Sequence, residues 1–219
     1  MSHIDTSAKP RLRGLRSGLA DGAVLVLHGG KVTSFDRARP WQLSALRMVP
    51  FTRMLRRTLG DSTAVAQLQY RYRGWNGADR SPVSDALWAC EHILEAYGPD
   101  TPITLLGHSM GGRTAAAVAG HPNVVAVIGL APWWPDGTET ATMRAGQKLL
   151  VVHGTADRWT DPVASRAATE SAAARGVDAQ FVPVAGAGHF MIRSSGAFSE
   201  QVHRFAVDQS REVSTTKPE

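Results

Sequence analysis

Cysteine is almost missing from this chain: Cys90 stands alone among 219 residues. A single thiol excludes an internal disulfide and cannot build a zinc cluster. No apolar run approaches the roughly 20 residues that a membrane-spanning helix needs, so no membrane insertion is expected. The opening stretch MSHIDTSAKPRLRGLRSG has charge but no apolar segment behind it, so no signal peptide is read there. Together with the lone thiol, this makes a reducing cytoplasm the expected location. H-E-x-x-H and the Walker A pattern are absent, and G-x-G-x-x-G fails at Gly186-Ala187-Gly188, so neither metal nor dinucleotide cofactor is expected. Acidic residues are outnumbered, 19 against 24 Lys and Arg, leaving a net charge of +5. The arginines cluster at Arg11–Arg16 and Arg53–Arg57 without aromatics interleaved along one element. That pattern reads as a solvated surface, and no nucleic-acid partner is expected.

Apolar residues make up 43% of the chain, enough for a sizeable core in one domain. Ala23–Leu27, Thr63–Tyr70, Ile103–Leu106, Val124–Leu130, Lys148–Val152 and Ala179–Val184 read as strands, the first a continuous apolar run of the kind buried on both faces. Helical patterns separate them. Leu43, Leu46, Met54, Leu55 and Leu59 suggest helix interrupted near Pro50. Pro82–Tyr97 is amphipathic, with Val83, Leu87, Cys90 and Leu94 on one stripe and Ala86, Ala89, Ile93 and Tyr97 flanking it. On that stripe Cys90 is a packed thiol. Further helices are read over Thr114–Ala119, from Asp161 or Pro162 to about Arg175, and from Ser195 to about Gln209. Residues 1–20 read as an arm with at most one short edge strand, and residues 210–219 as a disordered tail. Alternation of strand and helix predicts a three-layer α/β/α sandwich on a mainly parallel, doubly wound sheet. Ligands in such sheets bind beyond the carboxyl ends of the strands.

Four features fall at those ends. The first is Gly107-His108-Ser109-Met110-Gly111, between an apolar strand and an alanine-rich helix. A serine there sits on a sharp turn with its Oγ above the sheet edge, and the flanking glycines keep side chains from colliding. The Met110 N–H, opening the helix, is aimed at any oxyanion formed beside Ser109. The second feature is His28-Gly29-Gly30, where bare backbone can approach a substrate. Gly30 is the simplest second oxyanion donor and Lys31 the fallback. The third is Asp157 in His153-Gly154-Thr155-Ala156-Asp157, with Asp161 as its rival, although Asp161 precedes Pro162 and looks like a helix N-cap. The fourth is His189, after the last strand. His28, His108 and His153 also lie beside strand ends, where they read as structural.

The chain order serine, acid, histidine over Ala23 to Val207 resembles the α/β-hydrolase superfamily, as a small capless member of the serine-esterase or dienelactone-hydrolase kind. The resemblance implies an acyl-enzyme chemistry in which Ser109 attacks, His189 moves the proton and Asp157 orients the imidazole. It implies a small ester or thioester as substrate. Perhydrolase activity on the same three residues, or a silent scaffold that binds a ligand or partner, are the alternatives. The interval Ala131–Gln147 is too short for a cap domain, which predicts an open cleft edged by loops. Trp133 and Trp134 are expected to line it; Trp75 and Trp159 lie on nearby loops.

Overall fold

The computed structural model describes residues 7–15, 18–191 and 194–215, with side chains through residue 210. Its strands are β1 (Arg11–Arg13), β2 (Gly22–Leu27), β3 (Thr63–Gln69), β4 (Ile103–His108), β5 (Val124–Leu130), β6 (Lys148–Gly154) and β7 (Asp178–Val184). They form one sheet in the order β1-β3-β2-β4-β5-β6-β7. Only β1 runs antiparallel, along the β3 edge; every other neighbour is parallel. From β2 the chain steps outward to β3, then crosses back so that β4 lies on the other side of β2. The winding therefore reverses between β2 and β4, which opens a crevice beyond their carboxyl ends. Leu27 is in register with Gly107, so the glycine-rich loop after β2 and the serine turn after β4 leave the sheet side by side.

The alternation of side chains along the strands sorts the interior into two cores. On β2, Ala23, Leu25 and Leu27 face one way with Ile103 and Leu105 of β4. They pack on α3 (Ser81–Tyr97), α4 (Met110–Val118) and α5 (Pro162–Ala174). Val24, Val26 and Leu106 face the other way, onto α2 (Val49–Leu59) and α6 (Ser195–Thr215). Truncating a fully buried leucine such as Leu25 or Leu106 to alanine costs about 2–5 kcal/mol.

The interruption expected near Pro50 is present: a short helix α1 (Leu43–Leu46) ends two residues before α2, and Pro50 occupies the first turn of α2, where its missing N–H costs nothing. Two other helices differ from their sequence reading. In α3 the buried side chains are Ser81, Pro82, Asp85, Ala86, Ala89, Cys90 and Ile93. Leu87, assigned to the inward stripe, is instead exposed. The inward face is rotated by about one residue, so that Ala86, Ala89, Cys90 and Ile93 pack into the core shared with α4 and β2. Helix α6 continues through Thr215, so residues 210–215 are helical where a disordered tail is expected from sequence; residues 216–219 lie outside the described ones. Of the expected arm, residues 1–6, 16 and 17 also lie outside, and β1 supplies the edge strand. Between β5 and β6 the chain makes only a short 3-10 turn, Glu139–Thr142, and no cap domain. Among the described residues no helix is long and apolar enough to cross a membrane.

Candidate active site

Ser109 stands between β4 and α4 with φ 56° and ψ −118°. A non-glycine residue held there costs on the order of 1–3 kcal/mol, and the turn persists because its surroundings over-determine it. The Ser109 N–H donates to Leu130 O at 3.1 Å, and its carbonyl accepts from Gly112, Arg113 and Trp133 N–H. The flanking glycines are required by space. A Cβ on Gly107 would come within 2.2 Å of Gly111 O, and one on Gly111 within 2.3 Å of Leu27 O. The backbones of β2, β4 and α4 thus touch directly beneath the serine, and its Oγ points into the crevice.

His189 comes from the loop after β7. Its Nε2 lies 3.0 Å from Ser109 Oγ, and its Nδ1 lies 2.8 Å from Asp157 Oδ2. Asp157, on the loop after β6, is held on every side. Oδ1 accepts the Trp159 and Thr160 N–H groups at 2.7 and 3.0 Å. Oδ2 also accepts the Thr160 hydroxyl at 2.8 Å and His153 Nε2–H at 3.2 Å. Burial pushes the Asp157 carboxyl upward, but the hydrogen bonds from His153, His189, Thr160 and Trp159 outweigh it and hold the group well below the usual carboxylate range. Asp161 instead caps α5, accepting the Val163 N–H at 2.7 Å.

Three polar residues have roles here that the linear sequence does not display. Thr160 is one, through its hydroxyl on Asp157. His153 is another, buried behind Asp157. The third is His108, immediately before the serine. Its Nε2–H donates to the His189 carbonyl at 2.9 Å, tying the end of β4 to the histidine loop. Burial, with His189 and Arg47 adding to it, lowers the His108 pKa to about 3. His28 is similar: burial lowers it to about 4, while its ring donates to Gly29 O at 2.7 Å and packs edge-on against Tyr70.

Gly29 and Gly30 run past the serine. A Cβ on Gly29 would stand 3.3 Å from Ser109 Cβ; one on Gly30 would stand 2.3 Å from Arg73 O and 2.4 Å from Met110 Cε. Gly30 and Met110 therefore lie against one another. Among the described residues, neither N–H has an acceptor. The Lys31 N–H does: it donates to Arg73 O at 2.8 Å, in a short parallel bridge of Lys31 with Gly74. This pairing removes Lys31 as a backbone donor. Asn76 holds the same loop from further out, accepting the Ser34 N–H at 2.8 Å.

The cleft above these groups has a volume of about 740 Å³ and is open to solvent. Val32, Leu43, Trp133, Trp159 and Phe190 provide apolar walls, and Lys31, Arg47 and Arg73 provide charge. The two expected pocket tryptophans part company. Trp133 faces the cleft, whereas Trp134 is buried beneath it, its indole N–H on Gly112 O at 3.3 Å. As neighbours on an extended segment they point in opposite directions. The Arg113 guanidinium sits in the corner between the nearly perpendicular rings of Trp133 and Trp75, 4.6 and 4.4 Å from their centroids, and Arg113 also pairs with Asp136 and Glu139. Trp159 stacks over His189, with ring centroids 6.4 Å apart. Among the described residues no group of three or more His, Cys, Asp or Glu is placed to hold a metal ion.

A serine, a neutral-capable imidazole and a buried carboxylate in one hydrogen-bonded line, beside two unengaged N–H groups, can carry out acyl transfer. Comparison with solved structures gives the same architecture. The esterase Est2 of Thermogutta terrifontis with butyrate bound superposes with a TM-score of 0.69 at 19% identity, covering 99% of this chain and 94% of that one. Est1E of Butyrivibrio proteoclasticus with ferulic acid bound gives 0.67 at 16% identity, covering 95% and 99%. A serine hydrolase without lid from Xanthomonas campestris gives 0.62 at 19% identity, covering 91% and 87%. No curated protein matches the sequence. Residues 24–149, more than half of the chain, match the model of the alpha/beta hydrolase family. On that match and this fold, the chain belongs to the alpha/beta hydrolase family.

Proposed function

We propose that this protein is a serine hydrolase that cleaves small carboxylic esters through an acyl-enzyme. The observation that carries the reading is the unbroken line from Ser109 Oγ through the His189 imidazole to Asp157, at 3.0 and 2.8 Å. In the first step Ser109 Oγ bonds to the ester carbonyl carbon while its proton passes to His189 Nε2. The carbonyl oxygen becomes an oxyanion, received by the N–H groups of Gly30 and Met110. The carbon–oxygen bond to the alcohol then breaks, and His189 returns the proton to the departing alkoxide. Water, deprotonated by the same imidazole, releases the acid and restores the serine. Asp157 stays ionised throughout, fixing the proton of His189 on Nδ1 and stabilising the imidazolium. A structural neighbour described as an esterase, with butyrate bound, and a second with ferulic acid bound support esters over other acyl compounds. A thioester would follow the same path.

The absence of a cap domain leaves a cleft that buries only part of a long acyl chain. The test is twofold. A fluorophosphonate probe labels the wild type and fails to label Ser109→Ala, and p-nitrophenyl esters from acetate to palmitate are turned over best at the short end. Full labelling of Ser109→Ala overturns the assignment. Best turnover on long chains, with a rate jump at a lipid–water interface, overturns the open-cleft reading.

A further inference from the structure

Arg47 occupies the junction between α1 and α2 and lines the same cleft as Ser109 and His189. It is half-buried, and its guanidinium lies 4.7 Å over the Phe190 ring. Of the other cations lining the cleft, Arg73 has Asp36 at 3.8 Å and Lys31 is exposed to solvent. Arg47 has no carboxylate and no hydrogen-bond acceptor among the described residues, and none of the residues lining the cleft is acidic. Burial pulls its guanidinium below the ordinary arginine value with no counter-charge to offset that. A guanidinium remains charged in proteins, so this is a standing cation with five donors and an aromatic face beneath it. A planar carboxylate is its natural partner, held by paired N–H···O bonds.

The side of the cleft matters. His189 hands its proton to the leaving alcohol, so that part of the ester must lie beside the imidazole. Phe190 is packed against His189, with ring centroids 5.3 Å apart, and Arg47 is packed on Phe190. One aromatic ring separates the proton donor from the Arg47 guanidinium. We infer that Arg47 receives a carboxylate carried by the alcohol part of the substrate, so that the preferred substrates are short-acyl esters of small hydroxy acids. This rests on the serine-hydrolase reading above and specifies its substrate class.

The experiment compares butyrate esters of glycolate and its one- and two-carbon-longer ω-hydroxy homologues with the corresponding neutral amides. A second pair, monoethyl succinate and ethyl succinamate, puts the acid on the acyl side. For the wild type, kcat/KM is expected to favour at least one hydroxy-acid ester over its amide by about tenfold, mainly through KM, the scale of a charged hydrogen bond. Added salt should shrink this ratio. Arg47→Leu should bring it to about one, and Arg47→Lys should retain part of it. If Arg47 served only to brace Phe190, its loss would change acid and amide alike and leave their ratio intact. An unchanged ratio in Arg47→Leu, a wild-type ratio near one, or an advantage confined to monoethyl succinate each overturns the inference. Should Arg47→Leu fail to fold, the wild-type ratio and Arg47→Lys still decide. A protein that takes the probe yet shows no acid preference sinks this inference alone; one that neither takes the probe nor turns over any ester sinks the serine-hydrolase reading with it.

Discussion

Lowering the pH from 7.5 to 5 should destabilise this protein through two buried histidines outside the line of Ser109, His189 and Asp157. His28 and His108 are each about 1% exposed, and each has one ring nitrogen bonded and one facing no partner. Their folded pKa values are lowered to about 4 and about 3, chiefly by burial. In the unfolded chain both protonate near pH 6.5, so below that pH the unfolded state binds more protons and stability falls. At pH 5 the loss is about 2 kcal/mol for each, by 1.36 kcal/mol per pH unit over the interval from 6.5. Asp85 acts in the opposite sense. Burial raises it to about 6 despite the Arg71 N–H and guanidinium, so the folded state takes up its proton first and gains roughly 1 kcal/mol at pH 5. Asp157, with its depressed value, adds its own loss only below about pH 4. The net expectation is a loss of about 3 kcal/mol. His108→Gln keeps a donor toward the His189 carbonyl but cannot titrate, and should recover about 2 kcal/mol of it. Urea unfolding followed by tryptophan fluorescence at the two pH values measures both. Equal stability of the wild type at pH 5 and 7.5, or an undiminished loss in His108→Gln, would refute the reasoning.

Two further outcomes are expected. Asp157→Asn should lower kcat by on the order of 10⁴, since the amide favours the wrong histidine tautomer, whereas Asp161→Asn should stay close to wild type because asparagine also caps helices; steady-state kinetics of both variants give the ranking, and the reverse order contradicts these roles. Gly30→Ala should cost about 10² or more in kcat with the fold retained by circular dichroism, because the added methyl meets the Arg73 carbonyl and displaces one oxyanion donor. Unchanged kcat in that variant excludes Gly30 from the oxyanion site.

Much of the sheet can be read from composition. Each buried parallel strand is a run of apolar residues that water cannot reach on either face, and a run that short and that apolar, closed by glycine, suits little but a buried strand. Helix faces are less legible. On α3 the apolar residues nearly encircle the helix, and which of them turn inward depends on how it packs into the core shared with α4 and β2. The ends of helices are weaker still: the polar residues after Gln209 have no pattern that stops α6, which continues through Thr215. At the site, the order of serine, acid and histidine is visible because each follows a strand. Thr160 and His153 are not, because their contacts depend on how the loop between β6 and α5 folds back over Asp157. The opposed directions of Trp133 and Trp134 depend likewise on where β5 ends, a one-residue matter that propensity does not resolve.

The place of Arg113 between two tryptophans has a dynamic consequence. Trp75 belongs to the loop after β3, Trp133 and Asp136 to the segment after β5, and Arg113 to the helix that begins at the serine. Three stretches remote in sequence share one cation, and each contact with an aromatic face contributes about 0.5–2 kcal/mol. Opening any one of them exposes the guanidinium's other partners, so this wall should unfold as one cooperative unit, with its amides exchanging hydrogen at a common rate. The facing wall is tied more loosely: Leu43 and Trp159 stand largely in solvent, and Arg47 meets a single aromatic ring there, that of Phe190. The cleft therefore has a stiff jaw and a compliant one, and adaptation to substrates of different shape falls to the compliant side.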